Sequence, residues 1–414
     1  MRPLTFILLA ALATVGAARA LAAEPRALSF DESVSLAAQR NADLRNAQAN
    51  LQAAEQRARA AYSGFLPQLS GNVNYSDSST GSGTYSTGVT ASQNLFTGFQ
   101  DQARVTQAAA NTESARASLQ LSKAQLSRDL KVAYTGLLYA QNNVVLTETI
   151  QRRLEENLRL VELRFESGRE NKGSYLLTRA SLAQARLESL QARQALHSGQ
   201  AQLARVLGQD VEPLRVADAV PLAAPAVVED FAVLVREAPE VRDALAREKS
   251  AEAEVQLVRG GFYPNVNVSG SATREGENWA PDDKRNSVSA TISIPLYSGG
   301  RDLYGTRAAV ASLDAARNSR ESIEQQLRVR LRQSHAAYVE SVERLNVDRE
   351  FLDAAELRAS IARARYQNGL ISFEDWDRIE SDLIQRQKAY LASQRDRVAA
   401  EAAWELARGT GVIP

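Results

Sequence analysis

The 414-residue sequence contains no cysteine. This excludes disulfides, thiolate metal sites, cysteine nucleophiles and a lipid-modified N-terminal Cys. Histidine is almost absent: the two present leave no material for a multi-histidine metal site. Charge of one sign is lacking too. Lys+Arg 49 balance Asp+Glu 49, so no basic field draws a nucleic acid. Beyond the N-terminus there is no long apolar run, and mean hydropathy is −0.31, so no transmembrane helix is expected in the mature chain. No set of nucleophile, base and orienting group converges, so no enzyme and no cofactor are expected. Gly299-Gly300 lacks the Lys-Ser/Thr that a phosphate loop needs. Proline is missing between Pro67 and Pro213 and again between Pro295 and Pro414, which leaves two long stretches free to be helical.

The first 22 residues read as a targeting segment. Arg2 precedes an apolar stretch, Leu4 to Val15, and Ala18-Arg19-Ala20 offers a small-x-small cleavage site. A cleaved signal peptide over 1–22 fits this pattern; a membrane anchor or a buried helix is the alternative.

The chain is written twice. A shift of 197 positions lays Gly64, Phe65 and Pro67 on Gly261, Phe262 and Pro264. Further on the shift is 201, and Leu95-Phe96-Thr97-Gly98 meets Leu296-Tyr297-Ser298-Gly299. Arg164, Phe165 and Gly168 then meet Arg365, Tyr366 and Gly369. A period this long marks two halves of one architecture rather than a solenoid. The expected division is a first repeat over 23–208, a linker over 209–230 and a second repeat over 231–414. Each repeat begins with a helix (31–62 or 229–260) that leads to a hairpin (68–96 or 265–296). A long helix follows (99–166 or 300–367), and then a return helix (174–207 or 373–408). A long helix of about 70 residues reaches about 105 Å, beyond any globular core. Ile323, Leu327, Leu331, Tyr338, Val342, Leu345 and Leu352 give the second one an apolar stripe.

The hairpins alternate with period two. Val73, Val89, Val268 and Ile292 belong to the apolar sets, and Ser, Thr and Asn fill the other set. A water-facing sheet is one reading. A membrane β-barrel is the other, since about ten residues suit a tilted spanning strand. Four strands cannot close in lipid, so copies must pool them: two give eight strands, three give twelve.

With these landmarks in order, the sequence resembles the TolC-like outer-membrane efflux protein family. The carriers are the doubled layout, the two aromatic-x-Pro segments, the Leu-aromatic-Thr/Ser-Gly junctions and the Arg-aromatic-x-x-Gly turns. The resemblance implies an α+β membrane protein: a long antiparallel α-helical barrel continuous with a transmembrane β-barrel, four strands per protomer and twelve per homotrimer. It also implies location in the outer membrane, with its lipid around the barrel, and extension into the periplasm. The implied partners are a periplasmic adaptor (membrane fusion) protein and an inner-membrane pump, in tripartite efflux or, alternatively, type I protein secretion. By the same resemblance, adaptor docking falls on Gly168, Arg169, Gly369 and Leu370, though those glycines also end helices. Asp375 stands where the family often has an aperture aspartate, and Tyr366 matches a tyrosine near that aperture. The first turn departs, with Ser174 in place of an acid, and Arg378 stands where a second acid is common. The implied gate is therefore an altered one drawn from Glu374, Asp375, Asp377, Arg378, Tyr366 and Ser174, with Glu170 or Lys172 as further partners. A solvated helix start explains the same acids, which favour a first turn.

Overall fold

A computed structural model describes residues 27–78, 81–210, 213–226, 228 and 230–414. The expected signal peptide over 1–22 lies outside the described residues. The chain is mostly helical, with one four-stranded sheet at an end.

In order come β1 (Ala27–Leu28), α1 (Phe30–Arg40), α2 (Ala42–Ala61), β2 (Gln68–Ser78), β3 (Gly81–Phe96), α3 (Gln100–Glu166) and α4 (Lys172–Leu207). Then follow β4 (Arg215–Val216), α5 (Phe231–Glu237), α6 (Pro239–Arg259), β5 (Asn265–Gly276), β6 (Asp283–Ser293), α7 (Arg301–Gln367) and α8 (Phe373–Arg408). The helices α3 and α7 both have 67 residues, and α4 and α8 both have 36. Lined against α3 are α2 near the sheet and α4 toward the far end; α6 and α8 line α7 in the same way. The long helix of each half is thus covered by two shorter ones laid end to end. The halves themselves join through α3, which also packs on α6 and α8. No described helix is long and apolar enough to cross a membrane.

The helix ahead of each hairpin is not continuous as expected. In the first half it breaks at Asn41, whose Oδ1 caps α2 by accepting from Leu44 N at 3.0 Å and whose Nδ2 donates to Val206 O at 2.9 Å. In the second it breaks at Ala238, because Pro239 disfavours helical geometry in the residue before it and suits the first helical position. Both breaks lie where the end of α4 or α8 abuts. Gly208 and Gly409 close those helices in the left-handed region, at φ +67° and +69°. A Cβ on Gly208 would collide with Arg40 O, and one on Gly409 with the Pro239 ring. Gly168 and Gly369 have the same backbone, at φ +73° and +74°, but open space around them. We therefore expect Gly168→Ala to lose only the left-handed penalty, about 1–2 kcal/mol. Gly208→Ala should lose distinctly more, because the backbone of α1 must move as well; thermal unfolding of the two variants side by side checks this.

The main core lies at mid-length, where these ends meet. Leu28, Phe30, Leu44, Leu130, Tyr134, Leu137, Leu203 and Leu207 are buried there. The stripe on α7 is buried at its centre, through Leu327, Leu331 and Tyr338. The linker crosses this level as a strap. β4 pairs with β1 in parallel, Gln141 holds both backbone groups of Val216, and the Tyr338 hydroxyl donates to Ala223 O at 2.5 Å. Lys131 on α3, almost fully buried, joins the halves by ion pairs to Glu401 (3.1 Å) and Glu405 (2.7 Å) of α8. His335 holds Ala226 O at 3.0 Å and packs edge-on against Trp404, a structural role.

Candidate functional site

The sheet has the order β2-β3-β5-β6, antiparallel throughout, so the two hairpins join through β3 and β5. Pairing register decides which residues share a face, because side chains alternate along each strand. Gly71 pairs with Val89, and Val89 with Ala272; Val73 pairs with Thr87; Val268 pairs with Gln93 and Ala290; Val266 pairs with Phe96 and Ile292. Val73, Val89, Val268 and Ile292 therefore fall on one face. Val73 (70% exposed), Val89 (50%) and Ile292 (66%) lie open on it. The opposite face carries rows such as Ser70, Thr90, Ser271 and Ser287, or Gln68, Ser92, Ser269 and Ser289.

Aromatic side chains close both ends of the apolar face. At the hairpin tips the Tyr75 and Tyr85 rings lie 4.7 Å apart, and Trp279 meets Tyr85 edge-on at 5.9 Å. At the helix end Phe99 meets Phe96 at 5.1 Å and Tyr263 at 5.7 Å, both edge-on. An apolar band between two aromatic girdles is the pattern of a barrel exterior. β6 stops at Ser293, short of the expected Leu296, because Pro295 has no N–H to continue a ladder. Leu296 and Tyr297, just past the end of this edge strand, are left 94% and 87% exposed.

At the far end of the rod, α3 turns into α4 and α7 into α8. Each long helix closes with paired backbone bonds: Gly168 N to Phe165 O and Arg169 N to Arg164 O, then Gly369 N to Tyr366 O and Leu370 N to Arg365 O. Each return helix is capped by a side chain. Asn171 accepts from Ser174 N at 2.9 Å, and Ser372 accepts from Asp375 N at 3.1 Å. Gly168, Arg169, Gly369 and Leu370 are all exposed at the extreme tip. Glu374, Asp375 and Arg378 are exposed on the first turns of α8, and none of them forms an ion pair among the described residues. Ser372 Oγ donates to Asp375 Oδ2 at 3.1 Å. Asp377 is half-buried, and burial pushes its carboxyl above the usual carboxylate range. Ser174 is buried, with its backbone inside the start of α4.

Tyr366 does not face open space within the protomer. It is 1% exposed and stacks on Trp376, with centroids 4.3 Å apart and planes 5° apart. Its hydroxyl donates to Glu170 Oε2 at 2.9 Å. Burial, and then the Glu170 carboxylate beside it, push that hydroxyl well above the ordinary tyrosine range. The Arg164 guanidinium lies 4.5 Å from the ring centroid, and its Nη1 donates to Tyr366 O at 2.7 Å. Arg164 and Glu170 come from the first turn, Tyr366 and Trp376 from the second. Together they clasp the two turns to each other. Arg164 and Trp376 were not among the expected functional residues. The first turn has a weaker counterpart, Phe165 stacked on Tyr175 at 5.5 Å. An aromatic pair ten residues apart across each turn was therefore present in both halves of the sequence.

A helical rod ending in a sheet with one apolar, girdled face is the architecture expected of an outer-membrane efflux protein. The chain belongs to the outer membrane efflux protein family, whose sequence model matches residues 33–209 and again 234–410. Among curated relatives, the outer membrane efflux protein BepC of Brucella suis is 22% identical over 379 residues, 90% of this chain and 82% of BepC. The alkaline protease secretion protein AprF of Pseudomonas aeruginosa is 25% identical over 281 residues, which is 64% of this chain and just over half, 56%, of AprF. The solved CmeC outer membrane channel of Campylobacter jejuni has the same fold, with a TM-score of 0.83 at 14% identity over 92% of this chain and 86% of CmeC.

Proposed function

We propose that the protein is the outer-membrane duct of a tripartite efflux system, working as a homotrimer without catalysis or cofactor. The observation that carries this reading is the sheet: one girdled apolar face, one Ser/Thr/Asn face, and two edges, β2 and β6, that are unpaired among the described residues. Unpaired edges in hydrocarbon are untenable, so neighbouring copies must close them. Three copies give twelve strands and a lumen with room for water. The exposed Leu296 and Tyr297 support the same closure, because β3 is paired on both sides and β6 only with β5 among the described residues. In this reading residues 1–22 are cleaved on export. The repeats over 23–208 and 231–414, joined by the linker 209–230, each supply one hairpin and one helical pair.

The helical rods line up as a barrel across the periplasm, and its mouth is the ring of turns. Three copies of Glu374, Asp375, Asp377 and Arg378 surround that mouth, with Tyr366 and Ser174 behind them. Charges without partners inside the protomer are available for a ring or for bonds between copies. The adaptor docks on Gly168, Arg169, Gly369 and Leu370, where two bare glycines and an exposed leucine allow close approach. A type I protein-secretion duct is the second reading, favoured by the likeness to AprF.

A photo-reactive residue at Asn368, beside the second turn, tests both in cells of the native host. Capture of a periplasmic adaptor is the expected result, and the kind of adaptor separates efflux from secretion. Capture of the protein's own copies alone would leave the tripartite reading without its partner and sink it.

A further inference from the structure

Charges on the sheet are sorted by face near the hairpin tips. On the Ser/Thr/Asn face, Glu275 pairs in register with Asp283, and Arg285 forms an ion pair with Glu275 at 3.3 Å. On the apolar face, Arg274 pairs in register with Lys284. Both cations are exposed, and among the described residues neither has a carboxylate partner. Directly opposed residues on antiparallel strands hold their Cβ atoms about 5 Å apart, and like charges so placed are destabilising. This pair belongs to the row of Val73 and Thr87, one row inside the Tyr75–Tyr85 rim. Two opposed cations on the face of Val73 and Val89, which otherwise carries only uncharged residues in these paired rows, offer a site for an anion delivered from outside the barrel.

We propose that Arg274 and Lys284 bind a phosphate group of the phosphorylated glycolipid in the outer leaflet, one site per protomer. The inference rests on the barrel reading above, since it needs this face to meet lipid. The chemistry fits. An arginine fork takes two oxygens of one phosphate, and a lysine supplies a third donor and a second charge. Both long side chains can lay their stems along the apolar face and carry their heads up to the level of the aromatic rim. A single phosphate lies within reach of both residues at once, which removes the repulsion between them. The paired row itself holds no carboxylate, which leaves both cations available to an external anion.

The test uses the full-length trimer in lipid nanodiscs and native mass spectrometry. Bis-phosphorylated lipid A, lipid A stripped of phosphate and phosphatidylglycerol are titrated separately. The expected result is tight retention of the first only, weakened at least tenfold by Arg274→Gln with Lys284→Gln. Arg285→Gln, on the other face, should leave retention unchanged. Equal retention of phosphate-free lipid A, or no loss in the double variant, overturns the site. Equal binding of phosphatidylglycerol overturns the glycolipid as its occupant. Trimers that insert normally but show no phosphate dependence sink this inference alone. A protein that never inserts sinks the barrel reading, and this site with it.

Discussion

Replacing Val89 with arginine is expected to stop trimers from assembling in the outer membrane, while Thr90→Arg, one residue on, should assemble and alter conductance. The two positions share a strand and differ only in face. Val89 lies between Gly71 and Ala272 in register, well inside both aromatic girdles, so an arginine there has no anion in its row and a long way to reach water. Each arginine at mid-depth on a barrel exterior costs about 2–4 kcal/mol. In the proposed three-copy barrel the penalty reaches roughly 6–12 kcal/mol, comparable with the whole stability of an ordinary domain. Thr90 lies in a row with Ser70 and Ser271, where a closed barrel holds water. Membrane fractionation and native gels report assembly, and planar bilayers report conductance. Wild-type assembly of the Val89→Arg protein would show that this face does not meet lipid.

That prediction was open to the sequence, because a period of two needs no partner to be read. Which strands pair was not. The alternation gives each strand two faces, but only the β3–β5 register puts Val89 beside Ala272 and merges two hairpins into one sheet. The long helices were legible for a different reason. Prolines are absent, and the glycines that end them, Gly168 and Gly369, carry a positive φ that other residues resist. The breaks at Asn41 and Ala238 were harder. Pro239 was a signal in plain view, whereas Asn41 acts as a cap only because the end of α4 comes to rest against it.

The tip divides in the same way. The turns and the exposed acids on α8 follow from local rules of helix ends, so Glu374 and Asp375 were legible. The burial of Tyr366 was not, because it depends on Trp376 one turn into the next helix and on Arg164 two hundred residues away. Repetition was the overlooked clue. Phe165 and Tyr175 in the first half stand as Tyr366 and Trp376 do in the second. One pair is stacked more closely, and only that pair is joined by an arginine and a carboxylate from the other turn.

This asymmetry makes the second turn the place to break. Trp376→Ala is expected to leave the sheet end and the trimer intact but to loosen the tips, giving a duct that leaks. Trp376 is 2% exposed, and removing a buried aromatic of that size costs about 3–5 kcal/mol. The loss is local. Tyr366 keeps its bond to Glu170 but loses its stacking surface, and Phe373, whose ring centroid lies 6.0 Å from that of Trp376, loses a neighbour. Tyr366→Phe should do less. It preserves the stack and removes one hydrogen bond to a carboxylate, worth about 1.5–3 kcal/mol. Tyr175→Ala should do least, because that ring is only partly buried. The order Trp376→Ala, Tyr366→Phe, Tyr175→Ala should therefore appear in bilayer conductance, in cellular entry of a large antibiotic, and in amide exchange over 160–178 and 362–380. Exchange that rises only in those two segments ties the leak to the clasp. A Trp376→Ala trimer with wild-type conductance would mean that the clasp holds the turns together without holding the mouth shut, and gating would then rest on the unpaired charges of α8 and their counterparts in neighbouring copies.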